Sequence, residues 1–383
     1  MATLMSFRVV LQCTVVLGLL LTSLGAAAQD LNTSLREQVL MVPKNGALFT
    51  IQLETTLYRP PGDGPFPLVV INHGKSAGNP HFQARSRPSA ARFFVQRGYA
   101  VLAPMRQGFS KSEGFYIGGG CNVESNGLAQ AEDVKAVLDH ITTQPWADRS
   151  RILVTGQSHG GWTTLAFGTL GYPGVRGLVN FAGGLRQDDC AGWEATLARV
   201  GSAYGKATSV PTLWFYGDND SYFAPYVFRP LHENYLAAGG KAELVAFGQF
   251  ASDSHSMFGS SAGEPIWQPR VEAFMRTLGL PTAIVHPNLP TSSRTPVPAP
   301  TGFADLTDVD KVPHVKAAGR DGYKAFLTKP YPRAFALSPS GAWGWADQGG
   351  DPLQRALTNC NKHAKDQPCR LYAVDNQVVW TKE

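Results

Sequence analysis

Ser158 stands in the run Gly156-Gln157-Ser158-His159-Gly160-Gly161, which follows the apolar residues Ile152, Leu153 and Val154 after Thr155. A serine hydroxyl attacks a carbonyl only when a base takes its proton and fixed donors receive the charge left on the attacked oxygen. The pattern G-x-S-x-G, entered from a strand and left by a helix, suits both needs. Glycine has no β-carbon, so the chain reverses tightly, holds the serine in a strained, exposed turn, and directs the first N–H groups of the helix at the substrate. Five residues alone are a weak signal. The preceding strand and the small-residue segment 161–166 strengthen it.

The base and its orienting acid are expected downstream, at strand ends. Residues 210–216, Val-Pro-Thr-Leu-Trp-Phe-Tyr, read as a buried strand opening into Gly217-Asp218-Asn219-Asp220. Asp220 is the chosen acid. Asp218 is the rival, because both lie in one turn and spacing does not decide which side chain faces inward. Residues 242–247 form a further strand, followed by Ala251-Ser252-Asp253-Ser254-His255-Ser256-Met257-Phe258, and His255 is the candidate base. A lone loop histidine is usually a surface residue, but the order serine, aspartate, histidine, each just after a strand, favours a catalytic set. His159 adjoins the serine. It is read as lining the site and lending its backbone N–H to the oxyanion hole. A second donor is expected after the strand 66–72, where His73-Gly74-Lys75 follows, and the N–H of Lys75 is the choice. His81, Tyr116, Trp162, Tyr222 and Phe223 read equally as pocket lining or as packing.

Elements must position these groups. Residues 128–141 space apolar side chains at helical intervals, as residues 88–96 do more weakly. Strands alternating with helices demand a parallel sheet. Between 184 and 210 there is room for a small lid built on residues 193–198, which predicts an open cleft.

Together His73-Gly74, the run from Arg106 to Gly114, Gly156 to Gly161, Gly217 to Asp220 and Ser254 to Phe258 resemble the dienelactone hydrolase-like branch of the α/β-hydrolases. The resemblance spans roughly residues 38–280. It implies an eight-stranded, mostly parallel sheet with helices on both faces and a triad of Ser158, Asp220 and His255 at the carboxyl ends of the strands. Authentic dienelactone hydrolases carry a cysteine nucleophile where this chain has Ser158, so the expectation is a general esterase rather than ring opening of a dienelactone.

The chain has 383 residues, 43% of them hydrophobic and 16% charged, enough for one large core and a small second unit. Its net charge of +5 becomes +4 without Arg8, the one charge of residues 1–28. No basic run interleaved with aromatics suggests a nucleic-acid groove. The nine histidines show no H-E-x-x-H spacing and the cysteines no C-x-x-C, so no metal or cofactor is expected. Arg8, the apolar run 9–21 and Ala26-Ala27-Ala28 read as a signal peptide over 1–28, hence export to a periplasmic or extracellular space, without stable membrane insertion after cleavage. Cys13 leaves with it. Of the remaining cysteines, Cys121 with Cys190 and Cys360 with Cys369 are the expected disulfides, the first tying two loops at the site mouth and the second clipping a helix to the next strand.

The hydrolase portion is therefore expected over 29–280. Residues 281–300, rich in proline among Thr and Ser, read as a semi-rigid linker that lets the rest stand off. Residues 301–383 read as a small, disulfide-linked α+β module, with strands at 333–337 and 371–374 and a helix at 352–362. Its Trp343 and Trp345 are candidates for contact with cell-wall or other polymer, or more simply for its core. The expected reaction is hydrolysis of a small-molecule carboxylic ester through an acyl-enzyme. The alternatives are a serine peptidase or amidase on the same fold, and a non-catalytic binding protein that keeps the hydrolase shell.

Overall fold

The computed structural model describes residues 31–46, 49–289, 295, 297–329, 332–347 and 351–381. The signal peptide expected over 1–28 lies outside the described residues, as does part of the proline-rich segment.

Strands β1 (Glu37–Asn45), β2 (Thr50–Tyr58) and β3 (Phe66–Asn72) lead to α1 (Ala91–Val95) and β4 (Ala100–Pro104). Then α2 (Val123–Ile141), β5 (Ala147–Gln157), α3 (His159–Gly168), β6 (Val175–Phe181), α4 (Trp193–Ala207) and β7 (Thr212–Tyr216) alternate, before α5 (Pro225–Ala237), β8 (Ala242–Ala246) and α6 (Glu264–Thr277). The eight strands form one sheet in the order β1-β2-β4-β3-β5-β6-β7-β8. Pairing is antiparallel from β1 to β2 and from β2 to β4, and parallel from β4 through β8.

Period-two burial explains the layers. Leu68 and Val70 of β3, Ile152 and Val154 of β5, and Trp214 and Tyr216 of β7 enter one core with α2, α3, α4 and α5. Their neighbours Val69, Ile71, Leu153, Leu213 and Phe215 point the other way, to α1 and α6. Such double-sided burial is why β3 is apolar or buried along its whole length. This three-layer arrangement with a central parallel sheet is the α/β-hydrolase architecture expected from the sequence.

One expectation is corrected. The segment assigned to a small lid is α4, fifteen residues long, and its Leu197, Val200 and Tyr204 sit in the core beside α5. It is a crossover helix between β6 and β7. A parallel pair of strands needs such a connection, and the amphipathic spacing of α4 serves the sheet rather than the cleft.

The Cys121–Cys190 disulfide joins the loop before α2 to the loop before α4, with Cα atoms 5.7 Å apart. It closes a sequence separation of 69 residues, for which loop-entropy reasoning sets a ceiling of about 4 kcal/mol. The double Cys→Ser variant is expected to lose about 2–4 kcal/mol of stability, read as a lower urea midpoint, with an m-value that rises because the unfolded chain is no longer crosslinked.

After α6 the chain turns back to the end of α1. The N–H groups of Val285 and His286 donate to the Gln96 carbonyl at 2.9 and 3.0 Å, and Leu289 packs with the α1 and α6 core. Residues 32–383 cohere as one compact unit. The C-terminal part contains α7 (Ala317–Leu327), β9 (Arg333–Leu337), β10 (Trp343–Asp347), α8 (Pro352–Asn361), β11 (Arg370–Val374) and β12 (Gln377–Val378). Its antiparallel sheet runs β10-β9-β11-β12. Phe335 and Leu337 face α7, whereas Ala334 and Ala336 face α8, and Cys360–Cys369 fastens α8 to the residue before β11. Trp343 stacks on Phe335 at 6.0 Å and lies against Gly319 and Gly322 of α7, while Lys329 sits 4.7 Å over the Trp345 ring. Both tryptophans are half-buried and pack on the Tyr323 and Phe335 core.

Among the described residues no helix is long and apolar enough to cross a membrane, and no group of three or more His, Cys, Asp or Glu is placed to hold a metal ion.

Candidate active site

The turn from β5 to α3 carries Ser158 at φ 57°, ψ −125°, a left-handed conformation that a side chain adopts only under constraint. The constraint is visible in its neighbours. Ser158 N–H donates to the Phe181 carbonyl at 2.9 Å, and its own carbonyl accepts from Trp162 N–H at 3.0 Å, so the residue is pinned between β6 and α3. Gly156 and Gly160 pack backbone to backbone. A β-carbon on Gly156 would strike the Gly160 carbonyl; one on Gly160 would strike that of Asn72 and come within 2.6 Å of the His73 oxygen. Gly160→Ala is therefore expected to cost about 2–3 kcal/mol through displaced backbone, and to lower any ester turnover in parallel, checked by thermal denaturation alongside a rate assay.

The carboxylate of Asp220 and the imidazole of His255 meet. Asp220 lies after β7, buried, and its two carboxylate oxygens stand 3.1 and 3.0 Å from His255 Nδ1. Oδ1 also accepts the N–H groups of Tyr222 and Phe223 at 2.8 and 2.9 Å, which fixes the carboxylate plane. Asp218, the rival, is exposed and does not take this place. Burial alone would raise the Asp220 pKa, but the adjoining His255 charge and the hydrogen bonds from His255, Phe223 and Tyr222 outweigh it and hold the carboxyl below its ordinary value.

His255 sits in a 3-10 turn (Ser254–Gly259) rather than an open loop. Asp253 caps that turn, accepting His255 N–H at 2.9 Å, and reaches across to the Ser221 hydroxyl at 2.7 Å. Asn219 ties the same two loops, accepting Phe250 N–H at 3.0 Å and a short bond from the Ser254 hydroxyl. Gln157, the residue before Ser158, donates from Nε2 to the His255 carbonyl at 2.5 Å. The ring of Tyr222 lies 4.5 Å from that of His255, and Phe223 lies 5.8 Å away. Asp253, Asn219 and Gln157 were not singled out in the sequence. Asn219 and Gln157 adjoin Asp220 and Ser158, and Asp253 lies two residues before His255; for the two Asx residues, a polar side chain beside a turn is the signal that finds them.

Gly74 brings the loop after β3 to the elbow: a β-carbon there would lie 3.4 Å from Ser158 Cβ and 3.9 Å from its Oγ. Lys75 follows, half-buried, its amine lowered by burial and lying 5.8 Å from the Tyr116 ring centre. His159 opens α3. Its imidazole is buried between Arg106 and Asn126 instead of lining an open pocket, because the first turn of the helix points it into the core.

A doubly covered parallel sheet with a serine elbow after one central strand, an acid after β7 and an imidazole after β8 defines an α/β-hydrolase fold. Within this class, the family model described as X-Pro dipeptidyl-peptidase (S15 family) matches residues 50–223. Similar solved structures include a protein assigned as a dienelactone hydrolase from Klebsiella pneumoniae, at 20% identity and TM-score 0.46, covering 63% of this chain and 98% of that one. An esterase of Pyrococcus furiosus has 16% identity and TM-score 0.48 over 64% of this chain and 93% of its own. Dipeptidyl peptidase 4 of Porphyromonas gingivalis has 16% identity and TM-score 0.48, with 63% of this chain covered and 35% of that one. No curated protein matches the chain.

Proposed function

We propose that this chain is an exported serine hydrolase that cleaves carboxylic esters of small molecules. The observation that carries the reading is the buried Asp220 carboxylate held against His255 Nδ1, on loops laced to the strained Ser158 turn. In this mechanism Asp220 keeps the proton on Nδ1, so Nε2 is free to take the proton of Ser158 as its oxygen attacks the ester carbonyl. Backbone N–H groups of His159 and Lys75 receive the oxyanion. The protonated imidazole then gives its proton to the leaving alcohol, and water, activated by the same base, releases the acid from the acyl-enzyme. The group needs no cofactor for this sequence of steps.

α4 packs into the core rather than serving as a lid, which supports small esters as the substrates. Two disulfides support an oxidising compartment and thus export. The same proposal assigns catalysis to residues 29–280, with 281–300 joining a separate module at 301–383. The match to an X-Pro dipeptidyl-peptidase family over 50–223 favours a second reading, an exopeptidase or amidase that uses the same three side chains.

A fluorophosphonate probe tests the shared chemistry. Labelling confined to the peptide that carries Ser158 supports it, and an unlabelled folded protein rejects it. 4-Nitrophenyl esters set against Xaa-Pro anilides then separate the two readings: faster turnover of the anilides would overturn the esterase assignment.

A further inference from the structure

Behind the elbow lies a buried cation that the chemistry proposed above does not use. Arg106 follows β4 and is fully buried. Its Nη2 donates to the His73 carbonyl at 2.8 Å and stands 3.1 Å from His159 Nδ1, while Nε donates to Gln130 Oε1 at 2.9 Å. One guanidinium nitrogen thus bridges the loop after β3 and the first residue of α3, the two segments whose N–H groups are the candidate oxyanion donors. The Arg106 backbone N–H reaches the same loop from another side, at 3.3 Å from His73 Nε2.

The protonation pattern follows from donor counting. A guanidinium has no acceptor, so His159 Nδ1 accepts and Nε2 carries the proton. That proton faces Asn126 Oδ1 at 2.7 Å, and Asn126 Nδ2 then donates to the Ile117 and Gly118 carbonyls at 2.8 and 3.1 Å. Burial first, and the Arg106 charge second, push the His159 pKa well below its ordinary value, which agrees with a neutral ring.

The charge on Arg106 is poorly neutralised. Asp133 is the carboxylate whose charge it feels, yet Asp133 is itself paired to Lys44 Nζ at 2.5 Å and to Gln107 N–H at 2.8 Å. Among the described residues no carboxylate is bonded to Arg106, and its Nη1 has no hydrogen-bond partner. Burial lowers its pKa only to about 10, so it stays cationic at neutral pH.

We propose that Arg106 is a positioning residue for the reaction: its guanidinium, anchored through Nε on Gln130, uses Nη2 to set the spacing between the segments that carry the Lys75 and His159 backbone donors, and it leaves an incompletely neutralised positive charge behind the point where the oxyanion forms. This rests on the hydrolytic reading of Ser158. Lysine would supply a point charge without the fork, and glutamine would supply neither.

The test uses the full-length protein with 4-nitrophenyl acetate as substrate and phenylboronic acid as a mimic of the tetrahedral intermediate. Arg106→Gln is expected to lower kcat by about 10–100-fold with KM within about 3-fold, and to weaken boronate inhibition by a factor similar to that on kcat. Arg106→Lys should fall between it and the wild type. A folded Arg106→Gln protein with undiminished kcat would overturn the assignment, as would equal losses in substrate and boronate binding. If that variant does not fold, imidazole ¹⁵N spectra of the wild type decide: His159 is expected to stay neutral and protonated on Nε2 from pH 5 to 8, and a proton on Nδ1 or a titration in that range would overturn the proposal. An inactive wild type that resists fluorophosphonate sinks the hydrolytic reading, whereas an active wild type with a fully active Arg106→Gln sinks only the role of Arg106.

Discussion

Alanine in place of Ser158 is expected to abolish ester turnover, with kcat down by about 10⁵-fold and fluorophosphonate labelling lost, while the protein stays folded. The hydroxyl and the turn that holds it are separable. The left-handed backbone at residue 158 is imposed by bonds to Phe181 and Trp162 and by the glycines at 156 and 160, none of which involve the side chain. Alanine bears the same β-carbon as serine, so the strain is unchanged and stability should move by less than about 1 kcal/mol. Stopped-flow release of nitrophenolate, paired with circular dichroism, checks both halves. Retained turnover on the alanine variant would remove Ser158 as the nucleophile.

Asp220→Asn should be nearly as damaging, by about 10³–10⁴-fold in kcat, with KM little altered. The carboxylate accepts from Nδ1; an amide can instead aim an N–H at that atom, which drives the ring proton to Nε2 and leaves no lone pair for the serine. A second readout follows from the lowered Asp220 pKa. A carboxyl held below its unfolded value of about 4 contributes stability that is fully present above that pH and fades as pH falls through the native value. Denaturation midpoints from pH 7 down to pH 2 should therefore show the wild-type advantage over Asp220→Asn shrinking on the acid side. An advantage that grew on acidification would contradict an ionised Asp220 carboxylate beside His255.

The Ser158 turn and the Asp220–His255 contact were legible because each residue is announced locally. Ser158 has its glycines, Asp220 and His255 each follow an apolar strand, and chain order limits the roles. The Arg106, His159 and Asn126 cluster was not, since its members lie 33 and 53 residues apart and meet only when α2 and α3 pack on the sheet. Length without contacts also misled: residues 184–210 looked like lid material, yet α4 spends its apolar face on the core. In the C-terminal part, α7 was hidden by Gly319 and Gly322, poor helix formers that are small because Trp343 lies against them. β10 was seen only as a tryptophan pair, although its Trp-Gly-Trp-Ala-Asp sequence alternates large and small at strand period.

The sheet also dictates an order of assembly. β1 and β2 face each other across nine consecutive pairs from Glu37 with Tyr58 to Asn45 with Thr50, a local pairing of the kind that forms on the microsecond scale. β5 finds β3 only after some eighty intervening residues have been gathered in, and the parallel ladder carrying the serine is among the later, entropically costlier events. A chain emerging from a ribosome would display this ribbon well before the Ser158 turn acquires its geometry.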